Sequence, residues 1–274
     1  MDLSGLLEFA GLTNRGLVRD HNEDCIAFNT ELGLAVVADG MGGYQAGEVA
    51  SAITIKSVMA HAEDNLTRVA SLPDDPETGL TPQSIMLRDA IRKANHVIFR
   101  ASQTQPQCAG MGTTVVAAIF HGDRVSIAHV GDSRLYRVRN KRIEQITTDH
   151  SLLAELVARG FYTPEEAKKS LNKNLVTRAL GIGKKVEVTV AEELVLPGDT
   201  YLLCSDGLSD MVEDTNIGLT ISNFGANLHA AAEQLVQLAN DNGGRDNISA
   251  VLVQALTPPR TRKRWLNRVT DWFG

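Results

Sequence analysis

The sequence predicts an α+β domain, and three observations predict it. Helical patterns come in blocks, one pair near residues 45–102, a short pair near 151–170 and one at 226–240, instead of alternating singly with strands. Between the blocks, short apolar runs follow one another too closely to leave room for a crossover helix, so they pair antiparallel. No internal repeat or interior linker divides the chain. Blocks of helices beside antiparallel strands are the α+β pattern; a parallel α/β fold alternates the two.

Residues 8–13 alternate enough for a strand and 25–28 form another, with the polar turn NRGLVRDHNED between them. LAVVA at 34–38 is apolar throughout, too short for a helix and closed by a glycine cluster, the pattern of a buried strand. In 45–63, Ala46, Val49, Ala50, Ile53 and Val58 stand near helical spacing; SLPDDPETGLTP breaks the pattern with its prolines, and 83–102 resumes it. Strands follow at 113–120, 124–129, 134–139 and 142–147, separated by HGD, GDS and NK turns. Residues 151–160 and 164–170 read as short helices, 186–195 and 200–204 as strands, 226–240 as a last helix and 248–254 as a last strand.

A chain of 274 residues with 43% hydrophobic content can bury a sizeable core. Its net charge of −6 excludes a general nucleic-acid binder, which needs a basic surface to neutralise phosphates. Cys25, Cys108 and Cys204 are odd in number, far apart and in no ligand spacing, as expected of reduced thiols. The start, MDLSGLLEFAG, has no basic leader pattern, and no apolar run reaches membrane-spanning length, so a cytoplasmic location is expected.

The carboxylates carry the functional signal. Asp39 stops the apolar run 34–38, and Asp206 stops the apolar run 201–205 in the same way. Asp-Gly is a common turn pair, but a carboxylate at the edge of an apolar core is costly to desolvate unless donors or a cation compensate it. Asp246 precedes its strand, as Glu23 and Asp24 precede theirs, and in antiparallel neighbours the end of one strand lies beside the start of the next. All of these acids are therefore expected at one sheet edge, with Asp132, in the turn GDSR, a further candidate. So many carboxylates in one cleft repel and take up protons unless cations hold them, and all-oxygen ligation suits Mg²⁺ or Mn²⁺ better than zinc.

RDHNED (19–24), ADGMGG (38–43), MGTT (111–114), HVGDSR (129–134), TTDHS (147–151), CSDGLSD (204–210) and GGRDNIS (243–249) together resemble the ordered motif set of the metal-dependent type 2C serine/threonine protein phosphatases. The resemblance covers about residues 8–256. It implies a sandwich of two antiparallel sheets flanked by helices, with a dinuclear Mn²⁺ or Mg²⁺ site at one sheet edge. It also implies hydrolysis of phosphoserine and phosphothreonine in proteins by a metal-bridged water, opposing a serine/threonine kinase. Residue by residue, Asp39 and the Gly40 carbonyl resemble the ligands of one ion, with Asp39 bridging, and Asp206 and Asp246 those of the other. Glu23 resembles the acid near the second ion and Asp24 its supporting neighbour in the metal set, and Asp132 with Asp206 a weaker third position. Arg19 matches the phosphate-binding arginine, whose planar fork suits two phosphate oxygens, and Asn247 is expected to orient Asp246. Met41 stands where eukaryotic members carry a histidine, which resembles the bacterial type and leaves the leaving-group acid unassigned. A phosphoprotein-binding scaffold is the alternative function.

Residues 151–183 resemble the variable flap beside the family's cleft, where Lys168, Lys169 and Lys173 are expected to influence substrate choice. The catalytic domain is expected to span 1–257, followed by a tail, 258–274, that is basic in an acidic protein. If helical, the tail aligns Trp265, Leu266, Val269, Trp272 and Phe273 on one face. That pattern suits an anionic membrane surface, a groove on a partner, or docking on its own domain.

Overall fold

The computed structural model describes residues 6–43, 46–163, 166, 175–225 and 227–256. Apart from Glu166, the expected helix 164–170 lies outside the described residues, as do Lys168, Lys169, Lys173 and the tail 258–274.

Two antiparallel sheets pack face to face. One has β2 (Asp24–Asn29), β3 (Leu34–Met41), β5 (Val115–His121), β6 (Arg124–Val130) and β9 (Thr189–Leu194) in that order, with the short β4 (Gly112–Thr113) paired to β3. The other has β1 (Leu7–Asn14), β11 (Ile248–Ala255), β10 (Thr200–Cys204), β7 (Arg134–Arg139) and β8 (Arg142–Gln145). Helices α1 (Ala46–Val69) and α2 (Pro82–Thr104) cover the outer face of the first sheet. The short α4 (Asp206–Ser209), α5 (Asp214–Phe224) and α6 (Leu228–Asp241) cover the second. A seven-residue helix, α3 (Leu152–Ala158), flanks the cleft end.

Four layers explain why the central strands are apolar on both faces. In β3, Leu34, Val36 and Ala38 pack with Val58, Leu87 and Ile91 of the helices. Ala35 and Val37, pointing the other way, pack with Leu203 and Val251 of the opposite sheet. A strand covered on both sides reads as a continuous run because neither face meets water. Each valine, leucine or isoleucine among them contributes about 1.5–3 kcal/mol on burial.

The structure corrects four expectations. The ladder of β3 does not stop at the end of the apolar run but continues through Asp39, Gly40 and Met41, because Asp24 on one side and Gly112 and Thr113 on the other supply partners. GDS at 131–133 is not a hairpin turn: β6 and β7 belong to different sheets, so this segment crosses the sandwich. The strand expected at 186–195 is shorter, Thr189–Leu194, and the stretch 206–224, to which the sequence pattern assigns no element, contains α4 and α5.

The start of α2 is tied to β9 by a polar knot remote from the acidic end. Thr81 caps the helix with its hydroxyl on Ser84 N–H, and Pro82 fills the first turn, where a missing N–H costs nothing. Glu192 Oε1 accepts from Thr81 N–H (2.7 Å), Thr81 Oγ1 (2.8 Å) and Ser84 Oγ (2.6 Å). A carboxylate at a helix N-terminus also meets the positive end of the helix dipole.

Candidate metal centre

One end of the sandwich collects the acids. Asp24 opens β2 directly opposite Asp39 in β3. Cys204 closes β10 beside Ala250 of β11, so Asp206, just after β10, and Asp246, just before β11, reach the same end. Asn14 closes β1 opposite Ile248, which delivers the loop carrying Arg19 and Glu23. Asp132 arrives on the crossing segment between the sheets. Asp39 feels the charges of Asp24, Asp206, Asp132 and Asp246 together.

Two glycines make this convergence sterically possible. A Cβ on Gly40 would lie 2.2 Å from the Gly47 carbonyl oxygen and 2.6 Å from that of Glu23. On Gly207 it would lie 2.0 Å from the carbonyl oxygen of Asn247. In both places backbone meets backbone, with no flexible side chain to give way.

Burial and mutual repulsion make the carboxylates hard to ionise unaided. Burial pushes Asp39 well above the usual carboxylate range, and its acidic neighbours push the same way. Asp206 is raised to about 8 by burial, then by Asp132 and Asp246. Asp132 is raised to about 6 by burial and Asp149, and Asp24 to about 6 by burial, against the opposing hydroxyl bonds from Ser249 and Ser205. Glu23 is raised by burial, partly offset by Arg19.

The hydrogen bonds sort these acids into two kinds. Asp24 is held from the opposite sheet: Ser205 Oγ and Ser249 Oγ each donate to its Oδ2 at 2.7 Å. Asp246 takes its own neighbour's backbone, Asn247 N–H, on Oδ1 at 2.8 Å and Arg19 Nη2 on Oδ2 at 2.7 Å. Among the described residues, two buried carboxylate oxygens, Asp24 Oδ1 and Asp206 Oδ1, have no hydrogen-bond partner. Buried polar atoms left this way are costly unless something else satisfies them, and a hard cation does so for an oxygen. The donor set is entirely oxygen, which fits Mn²⁺ or Mg²⁺. Among the described residues no three His, Cys, Asp or Glu side chains are placed so that they could hold one metal ion; Asp24 is turned to the serines and Asp246 to Arg19.

Asn247 does a different part from the one expected, and only its backbone N–H meets Asp246. Its side chain does not reach Asp246 but fastens the preceding loop: Nδ2 donates to the carbonyls of Arg15 and His21, both at 2.9 Å, and Oδ1 accepts from Glu23 N–H at 2.8 Å. One buried amide thus fixes both ends of the segment that carries Arg19. Thr113 and Thr114 brace Asp39: Thr113 Oγ1 and Thr114 N–H both donate to its carbonyl at 2.8 Å. Ser205 and Ser249 were not anticipated as part of the site. Their one signal in the sequence is a hydroxyl at positions where the flanking runs are apolar and buried.

Comparisons with known proteins agree with this architecture. Residues 17–255 match the family model "Protein phosphatase 2C". The chain is 39% identical over 253 residues to the serine/threonine protein phosphatase PstP of Mycobacterium tuberculosis, across 92% of this chain and 45% of that protein. It therefore spans less than half the length of that relative. It is 38% identical over 245 residues to the serine/threonine phosphatase Stp of Listeria monocytogenes, across 88% of this chain and 93% of that one. Among solved structures, M. tuberculosis PstP superposes with a TM-score of 0.81 at 37% identity, covering 92% of this chain and 99% of that chain. The PstP catalytic domain in complex with two manganese ions gives 0.78 at 38% identity, covering 92% and 99%. The two-sheet sandwich, the ordered motifs and the match over nearly the whole described chain place this protein in the protein phosphatase 2C family.

Proposed function

We propose that this chain hydrolyses phosphoserine and phosphothreonine in proteins, using two Mn²⁺ or Mg²⁺ ions. The observation that carries the reading is the meeting of Asp39, Asp206 and Asp246 at one end of the sandwich, with Arg19 bonded to the carboxylate of Asp246. Loss of a metal acid would mark a scaffold without turnover, and none of the three is missing.

Asp39 with the Gly40 carbonyl, Asp206 and Asp246 would hold the ions, with Glu23 beside them. Asp132 with Asp206 offers a weaker third position. Asp24, fixed by two serines, supports Asp39 from beneath. When bound, the ions neutralise charge on the phosphoryl group and activate the attacking water. Arg19, half-exposed at the cleft, orients the phosphate with its fork. Asn247 holds the Arg19 loop and the Asp246 backbone in one frame. The Met41 thioether has no proton to give, so Met41 is not the acid that protonates the leaving oxygen. Cys204 takes no part as a nucleophile: burial pushes its thiol up to about 12.

In this reading residues 1–257 form the catalytic domain of a cytoplasmic enzyme that opposes a serine/threonine kinase, and the basic tail 258–274 contacts a membrane surface or partner. No helix among the described residues is long and apolar enough to cross a membrane. Turnover of p-nitrophenyl phosphate with manganese, abolished by a chelator and restored by excess metal, tests the catalytic reading. A purified, folded protein with no manganese-dependent turnover contradicts it.

A further inference from the structure

A cavity of about 550 Å³ opens from the acidic end, sharing Asp132 and Asp206 with it. Its walls are apolar on two sides: Leu153, Ala154 and Val157 of α3 on one, Met211 and Val212 on the other. Asp149, Asp210 and Glu213 line it as well. Where it meets the metal centre, Asp206 presents a buried oxygen, Oδ1, that has no hydrogen-bond partner.

Only one cation, Arg134, is among the described lining residues, and it is fully engaged. Its Nε and Nη2 fork onto Asp149 at 2.7–3.1 Å, and its Nη1 donates to Tyr136 Oη at 2.9 Å. Glu213 is different. It stands exposed at the N-cap of α5, yet its side chain makes no capping hydrogen bond. The cavity therefore has apolar walls between the reacting centre and Glu213, a carboxylate outside the bonds that Arg134 makes.

We propose that this cavity receives a lysine or arginine side chain of the substrate, close in sequence to the phosphorylated serine or threonine. The inference rests on the phosphatase reading above and names the substrate class of that same site: phosphopeptides with a neighbouring basic residue. A long aliphatic stem with a charged tip matches the lining. The methylenes lie against Leu153, Val157 and Met211, while the head group reaches Glu213. A peptide acid in the same place would meet like charge in a partly desolvated pocket, so the cavity selects against acidic neighbours as well.

The test compares otherwise identical phosphoserine peptides carrying arginine, glutamine or glutamate at each flanking position, with p-nitrophenyl phosphate as the small substrate. At one or more positions, arginine is expected to raise kcat/KM roughly three- to tenfold over glutamine, the scale of one partly exposed ion pair with its stem buried. That preference is expected to shrink as salt is raised. Glu213→Arg, at an exposed site, and Ala154→Arg, which places the chain's own cation in the cavity, are both expected to abolish it. Turnover of p-nitrophenyl phosphate and its manganese dependence should stay as in the parent. No preference for arginine at any position overturns the proposal, as does a preference that survives both variants. A shift in manganese dependence with peptide selectivity unchanged assigns the cavity to the metal centre and also overturns it. Absence of any turnover of the small ester instead defeats the phosphatase reading, and the proposal with it.

Discussion

Arg19 Nη2 donates to Asp246 Oδ2 at 2.7 Å across 227 residues of sequence, so the phosphate-binding candidate and a metal-binding candidate share one carboxylate. Arg19 is half-exposed, and its loss leaves no buried group unpaired. Arg19→Ala is therefore expected to leave the fold intact and chiefly to raise KM. A charge-assisted hydrogen bond of about 1.5–3 kcal/mol corresponds to roughly tenfold to a hundredfold. Steady-state kinetics with p-nitrophenyl phosphate check this, and an unchanged KM would show that Arg19 does not touch the phosphate.

Asp206→Asn and Asp246→Asn keep shape while removing charge from two proposed ligands. Each is expected to lower kcat/KM by at least about a hundredfold, the scale of losing one electrostatic contributor to the transition state, with circular dichroism unchanged. Parent-like rates in saturating manganese would contradict the ligand assignment.

Asn247→Ala should behave differently from Arg19→Ala. It removes three side-chain hydrogen bonds at a buried position, leaving the Glu23 N–H and the carbonyls of Arg15 and His21 without that partner. A loss of roughly 2–4 kcal/mol of stability is expected, together with a higher KM and weaker manganese binding, because one amide frames both sites. Denaturant titration and manganese binding measured on the same sample separate these effects. A change in KM alone would mean that the loop is not tied to the metal edge.

Glu192 predicts a pH dependence away from the site. Burial alone would raise its carboxyl, but the Ser84 hydroxyl bond and the two bonds from Thr81 bring it below its ordinary value of 4.5. A depressed pKa means that the folded state prefers the charged form. The stabilisation is thus fully present above about pH 4.5 and is lost as pH falls through the lower folded value. Glu192→Ala is expected to cost about 1–3 kcal/mol at neutral pH, since Thr81 and Ser84 lose their acceptor. The difference between parent and variant should shrink in acid. A difference that stays constant below pH 4.5 would show that the carboxylate charge is not what anchors α2.

Much of this was legible in the sequence because its cause is local. LAVVA declares a doubly covered strand, and the acids flanking three strands announce their own meeting once the strands are antiparallel. The crossing at GDS was not legible. A three-residue link looks the same whether it turns a hairpin or passes between sheets, and only the packing of the two sheets decides. Helix α5 was hidden because its buried face, Ile217, Gly218, Thr220 and Ile221, uses residues that read as turn or strand formers. Gly218 is there because Ile143 presses against it; a Cβ would lie 2.9 Å from that side chain. The serines that grip Asp24 and the reach of Asn247 into the Arg19 loop join segments more than 180 residues apart, which no local pattern records.

Anomalous scattering from a manganese-soaked crystal of this chain tests the metal centre most directly. Two peaks are expected at the end of the sandwich, within bonding distance of Asp39, Asp206 and Asp246, with at least one lost in the Asp206→Asn variant. Ordered manganese only at other places, or none in a crystal whose sandwich is intact, would contradict the assignment.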